Sequence, residues 1–239
     1  MSPDDAAQRA PNRASKVLDR REIAALLPFA DITDTQAQEL LESANVREVG
    51  SDTTCFEAGN TADSFYLLLD GVVRIVRTTA EGEQVIMMHI VPGQMFGIAK
   101  AFENDTYSAT ARTACEGLVL SWPSHLWDQF SRDYPGFLSA SRKEVGTRMH
   151  DLQDRVMSMA TLRVEQRIAQ AVLGLVQKAG LKTKDGIEIS FPITRQDISE
   201  MTGTTLHAVS RYMSKWQKDG IVTSKRRRVI VRKPEALPV

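Results

Sequence analysis

Between Asn45 and Trp122 the chain is cut into short apolar runs, among them SFYLLLDG, VVRIVRTTAEGE, QVIMMHIVPGQ and SATARTACEGLVLSW. Gly59-Asn60, Asp70-Gly71, Glu81-Gly82 and Pro92-Gly93 stand at the joints. No helix of useful length fits between such turn signals, and strands succeeding one another at this spacing predict an antiparallel sandwich or jelly roll. After Pro123 the period changes. Val145, Met149, Leu152, Val156 and Met159 recur at four, three, four and three, with Leu138 one heptad earlier and charged residues between them, as in GTRMHDLQDR. This is an a/d seam on a long polar helix, and its simplest partner is its twin in a parallel homodimer. The competing reading packs the seam against the chain's own β domain, and one helix can do both.

The last fifty residues carry a different pattern. In PITRQDISEM, Thr194 is placed to cap a helix, with Asp197 three residues on in the capping-box position. Gly203 then supplies a sharp bend, and Thr204 or Thr205 caps the helix that follows. In TGTTLHAVSRYMSKW, at about 100° per residue, Val209, Tyr212, Met213 and Trp216 fall on one arc. Leu206, His207, Ser210, Arg211, Ser214 and Lys218 fall on the other. An amphipathic surface helix would show the same split. Two capped helices around a glycine bend are, in addition, the arrangement in which a recognition helix presents its first residues to base edges in the major groove. After Gly220, IVTSKRRRVIVRK reads as two short strands around a basic turn, a wing whose Arg226 and Arg227 would lie along the phosphate backbone.

Charge agrees with this reading. Residues 193–239 hold ten Lys or Arg against four acids, a net +6, while the whole chain is neutral, so residues 1–192 carry −6. A basic end on an acidic body is what a module that displaces phosphate counterions requires.

Other classes are disfavoured. The 239 residues, 42% hydrophobic, allow two domains with real cores. The start, MSPDDAAQRAPNRASK, reads as neither a signal peptide nor an anchor, and no apolar run is long enough to span a bilayer, so a soluble cytoplasmic protein is expected. Cys55 and Cys115 lie far apart without metal-ligand spacing. A cupin-type metal centre needs two or three histidines and a carboxylate on neighbouring strands, and the β region holds only His89. No nucleophile elbow or phosphate loop occurs, and no enzyme is expected.

Taken together, over about residues 25–233, these pieces resemble the Crp/Fnr superfamily of bacterial transcription regulators. Its glycine framework matches Gly59, Asp70-Gly71, Gly82, Gly93 and Phe96-Gly97, and its C-terminal signature matches ITRQDI followed by VSR. The resemblance implies an α+β chain with a cyclic-nucleotide-binding-type β-roll, a long dimerisation helix and a C-terminal winged helix-turn-helix. The corresponding spans are a flexible segment 1–24, a sensor domain 25–133, a dimerisation helix 134–160 and a DNA-binding domain 161–239. It implies a homodimer on a two-fold double-stranded operator, acting as an activator with RNA polymerase. Arg211 matches the family's base-contacting arginine and Ser210 the serine beside it; Thr194, Arg195 and Thr205 match phosphate-touching positions. His207 stands where typical members have glutamate, so the half-site should differ or be read differently.

The sensor departs from the family pattern. Cyclic AMP binders have Gly-Glu and Arg-Ser where this chain has Gly97-Ile98 and Tyr107-Ser108, so the charged partners of a cyclic phosphate and its ribose are missing and cyclic AMP is a poor candidate. The N-terminal cysteine cluster of the iron-sulfur branch is absent. The stretch ITRQDISEMTGTTLHAVSR, with its Leu206-His207 pair, resembles the branch that governs nitrite and nitric oxide reductase genes. That branch implies a nitric oxide response with haem as sensor, for which His89 is the candidate axial ligand. The alternative is a regulator of the same architecture answering a cyclic nucleotide or another small ligand.

Overall fold

The computed structural model describes Phe29 and residues 32–238, and the expected segment 1–24 lies outside the described residues. Helix α1 (Asp34–Glu42) begins with a capping box in which the Thr33 hydroxyl accepts from Gln36 N–H and the Gln36 side chain accepts from Thr33 N–H. Eight strands follow: β1 (Asn45–Val49), β2 (Thr54–Phe56), β3 (Ser64–Asp70), β4 (Val73–Thr78), β5 (Gln84–Ile90), β6 (Met95–Phe96), β7 (Thr110–Thr113) and β8 (Gly117–Pro123). They form two antiparallel sheets, ordered β1-β8-β3-β6 and β2-β7-β4-β5, which enclose one core.

Period-two alternation decides what each strand covers. In β3, Tyr66 and Leu68 point between the sheets, while Phe65 and Leu67 point outward beneath helices. That outer layer is α1, α2 (Trp127–Asp133) and the first turns of α3 (Pro135–Thr161). Both faces of β3 are therefore buried, which is why its sequence is continuously apolar. Trp122 seals this layer, its indole N–H donating to the Leu40 carbonyl at 3.0 Å.

Helix α3, roughly 40 Å long at 1.5 Å per residue, starts with Pro135 at its first position, where a missing N–H costs nothing. The single seam expected along it divides in two. Val145 and Leu152 turn toward the chain's own sensor domain, Val145 joining the outer core and Leu152 lining a cavity. Met149 and Val156 remain 55% and 64% exposed, next to Met157 at 61%, which the heptad did not include. Met159 lies by the helix-turn-helix: a Cβ added to Gly203 would meet its terminal carbon at 3.6 Å. The division has a physical cause. Arg148 donates to the Met95 carbonyl and Arg155 to the Ile86 carbonyl at 2.8 Å, pinning one side of α3 to β6 and β5.

The C-terminal unit comprises α4 (Val164–Ala179), β9 (Gly180–Thr183), β10 (Gly186–Ile189), α5 (Arg195–Thr202), α6 (Leu206–Lys218), β11 (Val222–Lys225) and β12 (Arg228–Val231). Its strands form a third antiparallel sheet, β11-β12-β10-β9, so the expected two-stranded wing is half of a four-stranded sheet. Ile168, Val172, Ile198, Val209, Met213 and Trp216 make its core, into which Val72 and Ala114 of the sensor also reach. Among the described residues no helix is long and apolar enough to cross a membrane.

Candidate nucleic-acid interface and effector cavity

The start of α5 is held as its sequence predicts. The Thr194 hydroxyl accepts from Asp197 N–H at 3.0 Å, and Asp197 Oδ2 accepts from both the Thr194 N–H and its hydroxyl at 2.7 Å. Gly203 follows in the left-handed region at φ 59°, a conformation an L side chain pays about 1–2 kcal/mol to adopt. Of the two candidate caps for α6, Thr205 serves, its hydroxyl accepting from Ala208 N–H. Val209, Met213 and Trp216 are buried, whereas Leu206, His207 and Arg211 are exposed and Ser210 is half-buried. Among the described residues Arg211 has no acid partner; its guanidinium donates to the Tyr212 hydroxyl at 3.0 Å and lies 4.7 Å from that ring's centre. It is a cation held in place without being neutralised.

The wing turn joins Lys225 to Arg228 through Arg226 and Arg227, both with positive φ, 51° and 65°. Asn-Gly is the usual choice for such a turn, and arginine there costs about 1–3 kcal/mol per residue. Arg228 is tied to Glu188 by two bonds of 2.6 and 2.7 Å, leaving Arg226 and Arg227 exposed at the tip. Thr194 and Arg195 are half-buried at the end of α5 nearest the sensor.

In the sensor, Gly97, Ile98, Tyr107 and Ser108 come together on a cavity of about 280 Å³ between the roll and α3. Phe56, Ile75, Met88, Phe102 and Arg148, which the sequence did not single out, also line it, as does Leu152, which was expected in the dimer seam. The Tyr107 ring stacks on Phe56 at 3.8 Å, and its hydroxyl is fastened away from the cavity, donating to Ser64 O and accepting from Ser64 N–H. Burial drives that hydroxyl's pKa up. Of the cavity's cations, Arg148 is matched by Glu144 at 3.0 Å, and Arg77 is exposed at the mouth. The Cys55 thiol nearby is pushed up to about 11 by burial, so it stays protonated and unreactive near neutral pH.

His89 is not part of this cavity. It pairs across the sheet with Arg74, one step along from the cavity-lining pair Ile75 and Met88, and so points the other way. Its ring is 5% exposed and lies 5.1 Å from Phe191 of the C-terminal unit. Burial holds its pKa down to about 4, with the Asp197 carboxylate acting against the shift and Arg74 and Lys178 with it. The other three histidines do not line the cavity either; His125, His150 and His207 are exposed. His89 is therefore not placed to ligate a haem in this cavity, because it faces a packed domain junction. Among the described residues no three His, Cys, Asp or Glu gather as metal ligands.

Residues 46–134 match the cyclic nucleotide-binding domain family and residues 166–238 the Crp-like helix-turn-helix domain family. The chain is 25% identical over 202 residues to the cAMP-activated global transcriptional regulator CRP of Pasteurella multocida, covering 83% of this chain and 95% of that one. Its fold is similar to that of FixK2 from Bradyrhizobium japonicum, with a TM-score of 0.71 at 18% identity over 81% of this chain and 95% of that one. It is likewise similar to the c-di-GMP responsive regulator CLP of Xanthomonas campestris, with a TM-score of 0.71 at 21% identity over 83% and 99%.

Proposed function

The chain belongs to the Crp/Fnr family of transcriptional regulators, whose members are not enzymes, and from that premise we propose that it works as a homodimer reading a two-fold operator, with RNA polymerase as its partner. The observation that carries the proposal is the open face of α6, where Leu206, His207 and Arg211 stand exposed beside a wing tip that spends backbone strain on two arginines. Arg211 has the fork that guanine O6 and N7 accept, Leu206 offers an apolar surface to a thymine methyl, and Arg226 and Arg227 suit phosphates. Thr205, the cap of α6, flanks that face, and Thr194 and Arg195 at the start of α5 are proposed as further phosphate contacts.

Base reading and phosphate contact are separable by experiment. Arg211→Ala is expected to cost about 1–3 kcal/mol on a sequence selected from a random pool, with little change on random DNA. Neutralising Arg226 and Arg227 together is expected to weaken all sequences and flatten the dependence of log K on log salt. Equal losses for Arg211→Ala on selected and random DNA would remove it from base recognition.

The effector reading rests on the cavity's chemistry. A cyclic phosphate needs a buried cation free to receive it, and here the matching position is a tyrosine ring stacked on Phe56 while Arg148 is already paired with Glu144. We propose a compact, mainly apolar effector that packs on Phe56, Tyr107 and Leu152, a use for which an apolar concave site is suited. In a melting-temperature assay, millimolar-range cyclic AMP is expected to leave Tm unchanged, since only a ligand that binds the folded state raises it; a rise abolished by Tyr107→Ala would return the site to cyclic nucleotides.

Nitric oxide control of denitrification genes draws its support from the ITRQDISEMTGTTLHAVSR stretch. With His89 turned from the cavity, that response needs a route other than haem ligation by this histidine. An anaerobic Soret band that appears on adding haem and is lost in His89→Ala would reinstate the haem route.

A further inference from the structure

Strand β4 faces two sites at once. Ile75 and Arg77 line the effector cavity, while Arg74 and Val76 point to the C-terminal unit and border a second, polar cleft of about 350 Å³. On that second face the sheet carries a row of bases: Arg112 of β7 stands directly opposite Arg74, and Arg74 directly opposite His89. Two like charges paired across strands repel. Within the sensor the acid meeting this pair is Asp52, 3.0 Å from Arg74 and 3.9 Å from Arg112. The second acid comes from the helix-turn-helix. Asp197 Oδ1 accepts from Arg74 Nη1 at 2.8 Å, with the two side chains only 7% and 16% exposed. The other oxygen of that carboxylate caps α5 through Thr194.

We propose that Arg74 is a positioning residue for DNA binding: by supplying the cation that Asp197 needs, the sensor sheet fixes the orientation of the helix-turn-helix relative to α3. The inference rests on the DNA-binding dimer proposed above. A two-fold operator sets its half-sites a helical turn apart, and both recognition helices must meet them together. A unit fixed to its sensor arrives already oriented, whereas one free to swing loses that freedom when the second half-site is engaged. The α6 face is open in this docked arrangement, and on this proposal the orientation the ion pair holds is the one that meets DNA. Because Asp197 keeps its bonds to Thr194 without Arg74, removing Arg74 loosens the domain and leaves the helix-turn-helix itself capped. Removing one member of so buried a pair leaves the other charge uncompensated, which opposes docking further.

The test compares DNA carrying both half-sites with DNA carrying one, both taken from a pool selected by the full-length wild-type protein. Arg74→Ala is expected to weaken two-half-site binding at least about tenfold and single-half-site binding by no more than about twofold, through loss of effective concentration. Asp197→Asn, which keeps an amide oxygen for Thr194, should show the same split. Arg74→Lys, which keeps the charge, should restore most of the ratio. The unchanged half-site affinity serves as the control for folding. An Arg74→Ala protein with a wild-type ratio of the two affinities, or one losing both equally, overturns the inference. A wild-type protein that selects no DNA overturns the proposed function instead.

Discussion

Replacing Met149 and Val156 together with glutamate is expected to leave a folded monomer that has lost at least about a hundredfold in affinity for a two-half-site operator. These side chains are 55% and 64% exposed, one heptad apart on the side of α3 turned from the sensor, with Met157 beside them. An apolar stripe of this kind is stable in water only when covered, and a second copy of the same helix covers it with matching spacing. Since neither side chain packs against its own chain's core, the sensor should still fold, losing only the stabilisation that dimerisation adds. Leu152→Glu is the contrasting variant. It sits on the cavity side and is expected to damage the sensor without dissociating the dimer. Sedimentation equilibrium decides between them, and a dimeric Met149→Glu/Val156→Glu protein would place the dimer contact elsewhere.

Stability is expected to fall on acidification through the range from pH 6.5 to 4, and His89 to account for on the order of 3 kcal/mol of that fall at most. The sign follows from proton uptake. Burial lowers the imidazole pKa from 6.5 to about 4, so in this window the unfolded chain binds a proton that the folded chain refuses. The unfolded state then binds more protons, stability rises with pH, and the contribution is complete above pH 6.5. Among the described residues His89 Nε2 is buried without a hydrogen-bond partner, so the charged form finds no acceptor among them when it does appear. Chemical denaturation of wild type and His89→Phe at matched pH isolates this residue from the carboxylates that also titrate. Parallel pH dependences for the two proteins would sink the assignment.

What could be read from the sequence depended on how far apart the interacting residues lie. The Thr194–Asp197 box, the Gly203 bend and the basic turn at Arg226-Arg227 span four residues or fewer, and local chemistry dictates them. The cavity positions Gly97, Ile98, Tyr107 and Ser108 followed from family resemblance, whereas Leu152 was assigned to the dimer seam. A heptad announces an apolar stripe without saying what covers it, so Val145 and Leu152 were indistinguishable from Met149 and Val156 until Arg148 and Arg155 fixed the helix rotation. The β9–β10 hairpin carried its signal in KTKDGIEI, where Asp185-Gly186 marks a tight turn. The Arg74–Asp197 pair joins residues 123 positions apart and left no local trace. That His89 faces away from the cavity was not legible because alternation along QVIMMHI does not reveal which face meets it, and the irregularity in the β4–β5 register opposite Ile75 and Val76 shifts the alternation further.

Helix α3 places Arg148 and Leu152 on the sensor cavity and Met149 and Val156 on its outer side, a single residue or a single turn away. Any molecule that seats against the inner side and any chain that seats against the outer side therefore share one rigid rod. Their binding free energies are linked: a ligand that favours the rod position found in the dimer must, by reciprocity, be favoured by dimer formation. Ligand affinity then has no single value in dilute solution but rises with the concentration of the protein itself, and the cell's stock of this regulator becomes one of the variables that sets its sensitivity.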